Sequence, residues 1–73
     1  MTLQEKVGRT IVDLRKSKGL SQERFAIDSN IDRRYMSDIE NGRRNISLDI
    51  LERTCATLDI SISDFFKIVE SPK

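Results

Sequence analysis

The chain has 73 residues, 37% hydrophobic and 34% charged, with a formal net charge of +1. That length allows one domain over residues 1–73 with one modest core, and three glycines and one proline argue against a disordered chain. One cysteine and no histidine exclude an internal disulfide and a zinc site of ordinary ligand spacing.

The spacing predicts a first helix over residues 3–17. Thr2 and Glu5 form a capping box, and Leu3, Val7, Ile11 and Leu14 recur on one face. Gly19 ends it by entering the left-handed region cheaply. Ser21 caps a second helix over 22–28, with Phe25 and Ala26 pointing inward. Ser29, Asn30 and Ile31 make a turn, in which Asn30 tolerates a positive φ better than most residues. Asp32 caps a third helix over 33–41, whose inner face is Met36 and Ile39 and whose stop is Gly42. Residues 42–45, Gly-Arg-Arg-Asn, read as an exposed loop. Ser47 caps a fourth helix over 48–58, with Leu48, Leu51, Cys55 and Leu58 buried. Ser61 and Asp64 form a capping box for a fifth over 62–70, and Pro72 falls in the tail. The fold class expected is all-α, five helices in one unit.

Charge is unevenly spread. Residues 1–44 carry ten Lys and Arg against seven Asp and Glu, and residues 45–73 carry three against five. The first part is therefore +3 and the second −2, which suits a chain with one face on phosphates. No apolar run approaches bilayer length, and the N-terminus lacks the apolar stretch of a signal peptide. The expectation is a soluble, cytoplasmic protein with no membrane partner.

Two short helices joined by a three-residue turn match the helix-turn-helix arrangement. In such a pair the first helix braces the second, and the second sets its N-terminal residues against base edges. Arg33, Arg34, Ser37 and Asn41 lie mostly away from the inner face, so they are free to face outward.

The runs GLSQERFA, SNIDRRYMSDIENGRRNIS and LDILERTCATLDISISDFF carry a resemblance. Together they resemble the Cro and phage-repressor family of DNA-binding domains, and within it the controller proteins of restriction–modification systems. The resemblance spans about residues 8–68; Asn30 stands where the family commonly has glycine. It implies a lambda repressor-like fold and a double-stranded operator as partner. It implies that Arg33 and Arg34 fall where bases are read. Arginine grips guanine O6 and N7 bidentately, and Arg34 is the favoured reader. It implies that Gln22 contacts phosphate and the recognition helix, with its own amide at a helix N-terminus. The loop of Asn41, Arg43, Arg44 and Asn45 is implied to clamp the DNA backbone. Ser47, at the next helix start, adds a phosphate amide. Arg15 and Glu40 are implied to pair as a structural link.

Three side chains keep two readings. Tyr35 either covers the core edge or donates to phosphate. Asp38 either orients Arg34, four residues earlier, or accepts from a cytosine amine. Cys55 reads as a small buried hydrophobe rather than a reactive thiol.

The fifth helix carries more apolar surface than one small core uses, and Phe65 and Phe66 are adjacent, so one of them points outward. A two-fold homodimer is expected, with Ile46, Ile50, Ile62, Phe65, Phe66 and Val69 at its interface. It would set two recognition helices about 34 Å apart, matching a palindromic site. The function expected is a sequence-specific transcriptional regulator, a repressor or an activator, with RNA polymerase the contact in the second case. An antitoxin-like interaction module with secondary DNA binding is the alternative. No cofactor, metal, small-molecule ligand or catalysis is expected, because no phosphate-binding glycine loop or nucleophile motif appears.

Overall fold

Every helix begins where a short polar side chain meets an orphan amide. Thr2, Ser21, Asp32, Ser47 and Ser61 accept from the backbone N–H groups of Glu5, Arg24, Tyr35, Ile50 and Asp64. The computed structural model describes residues 1–71; Pro72 lies outside them. The helices are α1 (Leu3–Ser17), α2 (Gln22–Asp28), α3 (Arg33–Glu40), α4 (Leu48–Leu58) and α5 (Ile62–Glu70). No strand occurs among the described residues. The third helix stops one residue earlier than expected, and Asn41 serves as its C-cap. At Thr2 the box is reciprocal, since Glu5 Oε1 accepts from the Thr2 amide at 2.8 Å. At Ser61 only the serine half forms: its hydroxyl accepts from Asp64 N, and the shorter aspartate makes no return bond there.

Asn30 takes a left-handed φ of 55°, as its place in the turn requires. Asp59 does the same at the end of α4, a stop that no glycine marks in the sequence. Gly42, φ 71°, ends α3 against α1, where a side chain would also strike Glu5.

The core is aliphatic and aromatic side chains from all five helices. Phe25, Met36, Ile39 and Phe65 are almost fully enclosed, and Ile11 sits among them. Burying each such side chain stabilises the fold by about 1.5–3 kcal/mol. Cys55 is inside too, and burial holds its thiol above the usual range, so it stays protonated. Two expected core residues lie outside: Leu3 is 55% and Leu48 82% exposed. Both occupy the first helical position, where the side chain projects past the end of the packed face. The hydroxyl of Thr54 is fully buried and has no hydrogen-bond partner among the described residues.

Helices α1 and α3 cross at Gly8. A Cβ there would run into the carbonyl oxygens of Ile39 and Glu40. The missing side chain lets α1 lie directly on the C-terminal turn of α3. That contact fixes where the third helix sits.

Candidate nucleic-acid interface

The rear of α3 is tied down by one carboxylate. Glu40 Oε2 is 2.7 Å from Arg15 Nε, and its Oε1 accepts from Arg15 Nη2 at 2.9 Å. The same Oε1 accepts from Gln22 Nε2 at 3.0 Å. Arg15 spends its remaining amino group on the Leu20 carbonyl, 3.1 Å away, in the link between α1 and α2. Three helices thus meet at a bidentate pair whose side chains are 10% and 4% exposed. The bond to Glu40 pushes the Arg15 pKa above its already high value, so Arg15 is a cation at any pH the fold survives. Gln22 has its amide committed to this junction, which leaves its side-chain oxygen and its backbone N–H at the start of α2.

The front of α3 is built differently. Met36 and Ile39 anchor the helix in the core, so residues 33 and 34 stand in solvent. Arg33 is 3.8 Å from Glu23 on α2, a loose pair with both side chains well exposed. Arg34 is exposed and makes no ion pair among the described residues. Ser37 is half-buried on the same helix. Asn41 folds back, donating from Nδ2 to the Ser37 carbonyl at 2.8 Å, so its amide closes the helix end instead of reaching outward.

Tyr35 packs half-buried against the core edge, and Arg44 covers its ring, with the guanidinium carbon 4.8 Å from the centroid. Arg44 Nε lies 3.9 Å from Asp38. Asp38 therefore faces Arg44 and not Arg34, the partner expected from the four-residue spacing. The loop after α3 returns toward the helix and brings residue 44 closer to it. That loop is pinned from two sides: Gln4 Nε2 donates to the Gly42 carbonyl at 2.6 Å, and Arg43 N donates to the Asp38 carbonyl at 2.9 Å. The side chains of Arg43, Arg44 and Asn45 remain exposed. Ser47 is spent as the N-cap of α4.

Four exposed arginines thus bracket α3, with 33 and 34 at its start and 43 and 44 in the loop after its end. Acidic neighbours Glu23 and Asp38 are each already opposite one of them. These arginines have the reach and donor geometry for phosphates and base edges. No His, Cys, Asp and Glu cluster among the described residues has metal-binding form.

Several interface expectations change on the other side of the molecule. Ile50, Phe65 and Val69 are buried in the chain's own core, so they have no face left for a partner. Phe65 points inward and Phe66, edge-on to it at 5.4 Å, is half-buried. Ile46 is also half-buried. Ile62 is 45% exposed, and Leu48 adds apolar surface that the sequence had assigned to the core. Two positioning groups were missed. Gly8 had a visible signal, a glycine inside an otherwise good helix pattern. Gln4 had none.

The helix-turn-helix family model matches residues 11–65. The control protein C.MunI of Mycoplasma sp is 48% identical over 64 residues, covering 86% of this chain and 86% of that one. The control protein C.BamHI of Bacillus amyloliquefaciens is 40% identical over 58 residues, covering 78% of this chain and 72% of that one. Among solved structures, the restriction–modification controller protein C.Esp1396I, a tetramer in complex with its natural 35 base-pair operator, superposes with a TM-score of 0.86. It is 38% identical, over 94% of this chain and 91% of that one. The chain belongs to the helix-turn-helix family, among relatives that include restriction–modification controller proteins.

Proposed function

We propose that this protein is a sequence-specific DNA-binding transcriptional regulator. It acts as a homodimer on a palindromic operator, and the genes it controls belong to a restriction–modification system. One observation carries the reading: an arginine-bearing helix end stands in solvent while its rear is locked by a buried three-helix junction. Such a display meets a duplex with little ordering cost, because the scaffold has fixed the angle beforehand. The likeness to the restriction–modification controller protein C.Esp1396I supports the choice of genes.

In this reading Arg34 reads a base. Arg33 and Ser37 contact bases or the adjoining backbone, and Tyr35 offers its hydroxyl to a phosphate. Arg43, Arg44 and Asn45 hold the backbone beside the groove. Gln22 and Ser47 contribute helix-start amides, and Asn41 shapes the loop. The partner face comprises Ile46, Ile62, Phe66 and Leu48, on the side where the chain is acidic. Operator occupancy represses by excluding RNA polymerase or activates by contacting it.

Selection of bound sequences from a random duplex pool tests this. Enrichment of a two-fold symmetric motif, with half-sites about one helical turn apart, is the expected result. A pool with no enriched motif, at protein concentrations where the dimer has formed, would overturn it.

A further inference from the structure

The turn between α2 and α3 is held from behind by α4. Asn30, in its left-handed conformation, has its carbonyl oxygen turned to Arg53, whose Nη1 donates to it at 2.9 Å. The other amino group, Nη2, is 2.8 Å from Asp49, one turn earlier on α4. Beside this, the buried Ser29 hydroxyl donates to Thr57 Oγ1 at 2.8 Å. Residues 49, 53 and 57 are successive positions four apart, so they form one polar row along α4. Helix α4 otherwise packs chiefly on α1 and α5. The row is thus a polar bridge from the C-terminal half of the molecule to the middle of the helix-turn-helix.

Arg53 is neither a cap nor a core residue, and its side chain is 40% exposed. An exposed ion pair by itself contributes little to stability. What the guanidinium does hold is a carbonyl of the turn that sets how α3 departs from α2. The Asp49 carboxylate restricts the guanidinium to that pose. Core packing at Met36 and Ile39 fixes the middle of α3, whereas its first turn, which carries Arg33 and Arg34, depends on how the turn before it is held.

We propose that Arg53 is a positioning residue for the recognition helix. Through the Asn30 carbonyl it fixes the approach of Arg33 and Arg34 to the duplex, and the Ser29–Thr57 bond is its second strut. This rests on α3 being the DNA-reading helix.

The test compares wild type, Arg53→Met, Arg53→Lys and Thr57→Val. The probes are the duplex that wild type enriches from a random pool and a scrambled duplex of the same composition. Arg53→Met is expected to bind the selected duplex about fivefold more weakly, the factor for one net hydrogen bond. Its affinity for the scrambled duplex stays near wild type, and its melting temperature falls by no more than the about 4–8 °C that one such bond accounts for. Arg53→Lys, which restores a charged donor, recovers most of the loss, and Thr57→Val shows a smaller loss of the same kind. A purely structural strut would lower the melting temperature and leave the affinity ratio intact, which overturns the proposal. Equal weakening on both duplexes also overturns it, because Arg53 would then be a phosphate contact. Should wild type prefer no duplex, the DNA-reading assignment falls and this inference falls with it. Should wild type prefer one and Arg53→Met keep that preference, only the inference falls.

Discussion

Arg15 and Arg34 are the same residue type on neighbouring helices, and the fold gives them opposite lives. Arg15 is enclosed, bidentate to Glu40 and bonded to the Leu20 carbonyl. Arg34 is in solvent with no ion pair among the described residues. Burial decides the difference. A guanidinium taken out of water must have all its donors answered, and once they are answered it holds its neighbours rigidly. One left in water keeps its donors for a ligand. The rear junction and the front display are thus two halves of one device, and breaking either should fail in its own way.

The largest effect is expected at the rear. Arg15→Met leaves the Glu40 carboxylate buried with only Gln22 beside it. The cost is about 3–5 kcal/mol of stability, a fall of more than about 10 °C in melting temperature for a domain of this size. Calorimetry checks it. The double variant Arg15→Met with Glu40→Met should recover much of the loss, since no charge is then stranded. Recovery to no extent would mean that the junction acts by shape alone. The pair adds no pH dependence of its own through Arg15. A raised pKa contributes stability that is lost only as pH climbs through that pKa, and for arginine this lies beyond any working range.

The front should respond without unfolding. Arg43→Ala is expected to weaken binding to selected and scrambled duplexes alike and to reduce the salt slope by roughly one unit. Titrations at several salt concentrations measure this. An unchanged slope removes Arg43 from the backbone clamp.

A smaller change of opposite sign is expected in the core. Thr54→Val removes a buried hydroxyl that has no partner among the described residues and keeps the side-chain shape. Stability should rise by about 1 kcal/mol, or about 4–8 °C in melting temperature. Affinity for DNA should stay the same. A fall in melting temperature would show that the hydroxyl has a partner in solution.

Much of the fold was readable from local chemistry. Five short polar side chains stood before five periodic runs, and each became the N-cap it promised to be. Gly19, Asn30 and Gly42 marked stops for the same local reason. What failed to read was long-range. Leu3 and Leu48 matched the periodicity of their helices, but periodicity does not say where a packed face ends. The four-residue spacing of Arg34 and Asp38 suggested a pair, yet a loop returning from beyond α3 brought Arg44 to Asp38 instead. Phe65 and Val69 looked surplus because counting apolar residues ignores how five helices converge on one point. The Arg15–Glu40 link was reached by family resemblance, not by spacing, since 25 residues separate them. The contact of Gln22 with the recognition helix was likewise reached by resemblance, whereas Gln4 could not be placed from sequence, because its partner is set by tertiary approach.

The most direct test measures Arg34→Ala against the selected duplex and a series of its single-base variants. The account predicts that one position of each half-site loses its preference, a change of about 1–3 kcal/mol, while affinity for scrambled duplex changes little. Loss of the same size on every duplex, with the base preferences intact, would contradict the claim that a rigidly held arginine at the start of α3 reads sequence.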